Sequence, residues 1–320
     1  MRAFVLSQTD QPPALQDIPA PEPGPGQVKL RIRACGLNFA DLLMAKGAYQ
    51  EQPPLPAVLG LEVAGEVVAL GPGVAGPAPG TRVAAFAGHG GLAEFGVFPV
   101  ERLLPIPPGM PFAQAAGFVV AYGTSHLALD HRARLRAGET LLVLGAAGGV
   151  GLTAVEIGAR MGARVVAVAR GADKLAVARA AGAAEVIDSD GADLRAAFKA
   201  LGGVDVVYDA VGEPGASAAL RALKPGGRFV VIGFAGGQVP QFPANLLLVK
   251  NIDVIGVYWG AYASFAPEVL DGSLATLMRW YAEGGLHPHV SHTLPLARAA
   301  EGFELLRSRA STGKVVITMD

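Results

Sequence analysis

The residues best arranged to do chemistry form a glycine loop, Thr140-Leu-Leu-Val-Leu-Gly-Ala-Ala-Gly-Gly-Val-Gly151. A short apolar run precedes it and a helical pattern follows. Gly148 lets the backbone approach a phosphate, and Gly151 lets a helix lie close to the preceding strand. The free N–H groups of such a helix start face anions. Ala147, Gly148, Gly149 and Val150 are therefore expected to hold the pyrophosphate of a dinucleotide. Ala146 stands where the usual G-x-G-x-x-G pattern has its first glycine, so the loop is a variant. The alternative reading is a glycine turn with no ligand.

The next chemistry lies beyond the following strand. A dinucleotide fold that takes NAD places a carboxylate there, on the ribose 2′-hydroxyl. This sequence instead reads Ala169-Arg170-Gly171, with Lys174 one turn later. Arginine and lysine pair with a 2′-phosphate, which a carboxylate would repel. NADPH is the cofactor this predicts. Asp173 is better explained as a helix N-terminal residue. The alternative for Arg170 and Lys174 is a pair of solvated surface charges.

The elements that must position these residues change character along the chain. Val28 to Ala34 alternates apolar and charged residues, as a half-buried strand does. Glu62 to Leu70, Arg82 to Phe86 and Leu92 to Val97 read as further strands between Pro- and Gly-rich turns. Together they predict an antiparallel, barrel-like domain. From about Ala113 strands alternate with helices. The strands are Thr140 to Leu144, Arg164 to Ala169, Glu185 to Asp188, Val204 to Asp209, Arg228 to Ile232 and Asp253 to Val257. Helical patterns at Asp173 to Ala181, Asp193 to Leu201 and Pro214 to Leu223 separate most of them. That rhythm predicts an α/β fold with a doubly wound parallel sheet. Helices at Ser273 to Glu283 and Leu296 to Arg307 and a strand at Lys314 to Thr318 break the rhythm. This tail is expected to return to the first domain. The expected division is 1–113 with 262–320 for one domain and 114–261 for the other.

Composition bounds the rest. The chain has 320 residues, 51% apolar and 17% charged, with a formal net charge of −1. That is globular, and it lacks the basic field a nucleic acid needs. Cys35 is the one cysteine, so there is no internal disulfide and no cysteine-rich zinc lobe. The longest uncharged run, Phe229 to Val249, is broken by glycines and prolines and is not read as a membrane span. A cytoplasmic location is the expectation. His287, His289 and His292 lie close in sequence but are read as a loop entering a strand, and no metal site is expected.

Several motifs in this order resemble the medium-chain dehydrogenase/reductase superfamily, and more closely its zinc-free quinone oxidoreductase branch. They are Ala34-Cys-Gly-Leu-Asn-Phe-Ala-Asp41, Gly47-Ala-Tyr49, Pro56-Ala-Val-Leu-Gly-Leu-Glu-Val-Ala-Gly65, the glycine loop, and Tyr208-Asp-Ala-Val-Gly212. The resemblance spans the whole chain. It implies a Rossmann domain for NADPH plus a GroES-like antiparallel β-barrel domain. By motif position, the zinc ligands of the family's alcohol dehydrogenases fall on Asn38, Leu61 and Ala116, and the proton-relay hydroxyl falls on Ala40. Leucine and alanine have no metal-binding atom.

The activity this resemblance implies is hydride transfer from NADPH to a quinone, an acceptor that needs hydrogen-bond donors and no Lewis acid. It places Asn38 and Tyr49 as the donors to the acceptor oxygen and Asp41 as a structural partner. It places Thr124 near the nicotinamide, and Phe234 and Val257 at the carboxyl edge of the sheet with the cofactor. Arg309 matches an arginine used on the 2′-phosphate. An enoyl-thioester or alkenal reductase is the enzymatic alternative, and a non-catalytic NADPH-binding structural or redox-sensing protein is the alternative from another class. A homodimer joined through edge strands near Asp253 to Val257 is also implied.

Overall fold

A computed structural model describes residues 1–319. The chain forms two compact units, one of residues 1–120 with the tail from Pro288, the other of residues Ala121–His287.

The first unit begins with β1 (Arg2–Leu6), β2 (Ala14–Asp17), β3 (Gln27–Gly36), β4 (Ala57–Val58), β5 (Glu62–Leu70), β6 (Arg82–Phe86), β7 (Phe95–Pro99) and β8 (Leu103–Pro105). The second contributes β9 (Thr140–Leu144), β10 (Arg164–Ala169), β11 (Glu185–Asp188), β12 (Val204–Asp209), β13 (Leu223–Val231) and β14 (Asp253–Gly256). The chain then returns to the first unit with β15 (Val290–Pro295) and β16 (Lys314–Thr318).

In the first unit β3 is the organising strand. Its charged-apolar alternation buries Val28, Leu30 and Ile32 on one face. It pairs antiparallel with β5, with β7 and with the returning β16. The seven-stranded sheet runs β15-β16-β3-β5-β6-β8, with β7 on β3, and a smaller sheet runs β2-β1-β4. Leu30, Ile32, Leu59, Val63, Phe98 and Ile317 fill the core. The tail therefore does rejoin the first unit, because the apolar run Val315-Val316-Ile317 is buried against β3.

In the second unit the parallel order is β11-β10-β9-β12-β13-β14. This is the doubly wound arrangement, in which the strand order reverses between β9 and β12 and leaves a crevice at their carboxyl ends. β9 is buried at every residue, as a central strand covered on both faces must be. Buried Leu142, Val166, Val207, Leu220 and Phe229 belong to the core that packs helices on the sheet.

Several boundaries differ from the expected ones, and the first unit runs to Val120 where residue 113 was expected. The helix expected to start at Ser273 starts at Pro267. Pro267 suits a first turn, and buried Leu270 holds the added turn despite Gly272. That helix buries Leu274, Leu277 and Met278, and His126 Nδ1 lies 2.8 Å from Ser273 Oγ. It is thus part of the second unit, which extends to His287 and not to residue 261. The strand expected from Leu92 is β7, beginning at Phe95. No helix among the described residues is long and apolar enough to cross a membrane, and the run from Phe229 divides into β13, a loop and the helix Ala244–Lys250.

Candidate active site

The glycine loop turns β9 into the helix Gly149–Arg160. Gly145 sits at φ +72°, a conformation that favours glycine, and its carbonyl accepts the Gly148 N–H at 3.0 Å. A Cβ on Gly151 would lie 2.1 Å from that carbonyl, so only glycine lets the helix start this close to the strand. The first turn of the helix carries no acidic residue and no side-chain cap. Its leading N–H groups and the positive end of its dipole are left for an anion. Ala147 is buried, Gly149 and Val150 are half-buried, and Gly148 is exposed at the lip of the turn.

The neighbouring strand ends offer the rest of the cradle. β12 ends beside β9, with Asp209 in register with Leu144. Asp209 Oδ1 accepts the Val211 and Gly212 N–H groups, while its buried Oδ2 has no protein partner. Burial raises the Asp209 pKa above the usual carboxylate range. Glycine turn, uncapped helix and an orphaned polar atom at the same crevice fit a dinucleotide crossing the carboxyl edge. Exposed Arg170 follows β10 directly, and Lys174 lies in the next helix, Ala172–Ala180. Asp188, at the end of β11, accepts the Gly171 N–H at 3.0 Å and braces this turn. Phe234, 38% exposed, follows β13, and Val257, almost buried, follows β14 and donates its N–H to Val231.

Beneath the loop lies a buried hydroxyl group cluster that the sequence reading did not anticipate. Ser125 Oγ stands 2.7 Å from Thr153 Oγ1 and 2.9 Å from Tyr208 OH, and it donates to Val150 O at 2.8 Å. It ties the helix start to β12. The preceding Thr124 is buried in the helix Val119–His126.

Asn38, Tyr49 and Arg309 belong to the first unit. Asn38 precedes the helix Phe39–Ala45, and its backbone N–H donates to Asp41 Oδ2 at 2.8 Å. Asp41 Oδ1 accepts from Gly60 N–H, which gives Asp41 the structural place expected of it. Burial pushes the Asp41 pKa up to about 7, against the pull of those N–H donors and of Lys314. The Asn38 carboxamide is already engaged. Its Nδ2 donates to Gly36 O at 3.2 Å and to Glu62 Oε1 at 3.0 Å, and its Oδ1 accepts from Lys314 Nζ at 2.7 Å. Tyr49 is half-buried at the fringe of the core. Arg309 is exposed at φ +55°, just after the helix Ala299–Arg307.

Glu62 and Lys314 were not among the expected site residues. Each is a charge at the first residue of a largely apolar strand, which is a readable signal, but nothing local pairs them. Of the three positions aligned with metal ligands, Leu61 and Ala116 are buried carbon side chains. Among the described residues no three His, Cys, Asp or Glu side chains are grouped to hold a metal ion. His287 instead sits on Glu156, whose Oε1 accepts its backbone N–H at 2.6 Å. His289 pairs with Thr312 and His292 with Ser291. A cavity of about 880 Å³ opens at the opposite, amino edge of the parallel sheet, walled by Arg228, Glu139 and Asp205 among others. It includes neither the glycine loop nor Arg170 nor Lys174, and so lacks the groups that suit a dinucleotide.

Comparison with known proteins follows the same division. Residues 24–108 match the alcohol dehydrogenase GroES-like domain, and residues 149–274 match the zinc-binding dehydrogenase family. Quinone oxidoreductase-like protein 2 of Mus musculus is 39% identical over 325 residues, covering 99% of this chain and 92% of the relative. The quinone oxidoreductase of Thermus thermophilus, solved also with NADPH, superposes with a TM-score of 0.89 at 37% identity over all of both chains. The Escherichia coli quinone oxidoreductase complexed with NADPH gives 0.92 at 26% identity, again over all of both chains. Motifs, two-unit architecture and whole-chain relatives agree: this protein belongs to the medium-chain dehydrogenase/reductase superfamily of oxidoreductases, in its quinone oxidoreductase branch.

Proposed function

We propose that this chain reduces quinones with NADPH and needs no zinc to do so. The observation that carries the cofactor is the cradle on the second unit, a glycine turn opening an uncapped helix, with Arg170 and Lys174 after the next strand. Bound there, NADPH supplies a hydride. The backbone N–H groups of Ala147 to Val150 would hold its pyrophosphate, and Arg170 and Lys174 would meet its 2′-phosphate, with Arg309 of the first unit the further candidate for that group. Thr124, Phe234 and Val257 line the nicotinamide end. Tyr49 and Asn38 meet the acceptor oxygen as its negative charge grows. Asn38 does so by exchanging its longest hydrogen bond, to Gly36 O at 3.2 Å.

The donor chemistry supports the zinc-free part. A leucine and an alanine stand at two of the three ligand positions, and a buried ammonium, that of Lys314, touches the third. The relatives named for quinone reduction support the choice of acceptor. We place self-association at β14, the edge strand of the parallel sheet, and the protein in the cytoplasm.

The test is NADPH oxidation by the purified protein, followed at the nicotinamide absorbance band with 1,4-benzoquinone or crotonyl thioester as acceptor and with NADH in place of NADPH. Faster turnover with the quinone and a preference for NADPH support the proposal. Faster turnover with the thioester makes it a double-bond reductase. Tight NADPH binding without turnover on either makes it a binding protein.

A further inference from the structure

Lys314 begins β16 with its side chain buried, 252 residues along the chain from Glu62. Its Nζ donates to Leu37 O at 2.7 Å, Asn38 Oδ1 at 2.7 Å and Glu62 Oε1 at 2.8 Å. An ammonium has three N–H bonds, so this donor set is complete. Glu62 is fully buried. Its Oε1 takes Lys314 and the Asn38 amide, and its Oε2 takes the Val120 N–H at 2.9 Å. A buried ion pair is a poor way to join two strands, since an apolar pair of similar volume commonly does as well or better. What an apolar pair could not do is fix the amide between them.

The Asn38 carboxamide has one permitted orientation here. Turned over, it would set its NH2 against the ammonium and its oxygen against the carboxylate. Held as it is, the cation on Oδ1 draws electron density from the amide and strengthens its N–H groups as donors, an effect enlarged in a low-dielectric surround. The N–H on Glu62 is committed to a charged partner. The other rests on Gly36 O, the longest bond of the set and the least costly to exchange. Asn38 is half-buried, whereas Glu62 and Lys314 are almost wholly enclosed.

We propose that Lys314 is a positioning residue for quinone reduction: held by Glu62, its ammonium orients and polarises the Asn38 carboxamide so that one amide N–H meets the acceptor oxygen. This rests on reading the chain as an NADPH-dependent quinone reductase. Bound NADPH would supply the electron pair and hydrogen together as hydride, becoming NADP+ as the quinone is reduced. The amide N–H stabilises the resulting oxyanion without giving up its proton, and water supplies the proton that completes the hydroquinone. No bond to Lys314 or Asn38 is made or broken.

The experiment compares kcat for 1,4-benzoquinone with the NADPH dissociation constant, read from nicotinamide fluorescence. Lys314→Met alone leaves Glu62 as an unpaired buried charge and risks unfolding, so the main variant is the uncharged pair Glu62→Gln/Lys314→Met. NADPH binding should stay within about twofold while kcat falls about tenfold or more, as for loss of a transition-state donor. Asn38→Ala should show a similar loss. Adding the pair to Asn38→Ala should cost little further, because the charge acts through that amide. Lys314→Arg should recover the melting temperature but not kcat, since a planar guanidinium cannot point three donors as an ammonium does. Wild-type kcat in the folded pair variant, or an equal further loss on top of Asn38→Ala, would overturn the proposal. If the wild-type protein binds NADPH and reduces no quinone, the reductase reading itself fails and this proposal with it.

Discussion

Lys314 and Glu62 meet at 2.8 Å inside the first unit, with side-chain exposures of 7% and 0%. The pair joins the first residue of β16 to the first residue of β5. It also surrounds Asn38 with one positive and one negative neighbour, so the same contact joins distant parts of the chain and sets the direction of an amide.

Breaking that pair from one side should be far worse than removing it whole. Lys314→Met or Glu62→Leu, each alone, leaves a buried charge uncompensated and should cost about 3–5 kcal/mol of unfolding free energy. The double variant should recover most of that loss. Urea unfolding of the three variants measures both, and additive losses would contradict the arrangement.

Gly151→Ala should damage the cofactor site and the fold together. The added Cβ would meet the Gly145 carbonyl at 2.1 Å, so the helix must move away from the turn. NADPH binding should weaken at least about tenfold, or about 1.4 kcal/mol, by fluorescence titration. Gly148→Ala is a useful contrast. Its Cβ would come no nearer than 3.4 Å to the same oxygen, so the second unit should remain folded.

Arg170→Ala and Lys174→Ala should change cofactor choice more than cofactor binding in general. A charge-assisted contact to a phosphate contributes about 1.5–3 kcal/mol, so each variant should lose about ten- to a hundredfold in NADPH affinity. NADH affinity should barely move. Equal losses for both nucleotides would remove these residues from the 2′-phosphate.

Asp41 should make stability depend on pH in a defined direction. Its pKa rises from 3.8 to about 7 in the folded protein, chiefly through burial. The folded state therefore holds a proton that the unfolded chain releases. The stabilisation this gives is complete below about pH 4 and is lost as pH rises through 7, with a size on the order of a few kcal/mol. Buried His126, whose pKa is held below 6.5 by desolvation, acts in the opposite sense as pH falls. Subtracting the pH profile of Asp41→Asn from that of the wild type, by denaturant midpoint between pH 5 and 8, isolates the Asp41 part. A flat difference would show that Asp41 does not titrate there.

The local signals in this chain were enough for most of the second unit. Thr140–Leu144, Arg164–Ala169 and Val204–Asp209 are short apolar runs punctuated by glycine and lie where their composition put them. A parallel strand buried on both faces needs apolar residues along its whole length, and that requirement is written in adjacent positions. The glycine turn was legible for a similar reason, because Gly145 and Gly151 answer to backbone geometry within a single turn. Leu61 and Ala116 could likewise be excluded as metal ligands by residue type alone.

The direction of the Asn38 amide could not be read that way. It depends on Glu62, 24 residues on, and on Lys314, 276 residues on, and no periodicity links such positions. The first turn of the helix Pro267–Ala282 was hidden because Asp271 and Gly272 weaken its pattern, while burial of Leu270 restores it in three dimensions. His287 showed no partner in its own neighbourhood, yet the fold sets it on Glu156, 131 residues away. Residue type and near-neighbour spacing determined which segments become strands, which turn could take a phosphate and which positions could not take zinc. Tertiary structure alone decided which charges neutralise one another, because a buried ion needs a partner in space and the chain can supply it from any distance along its length.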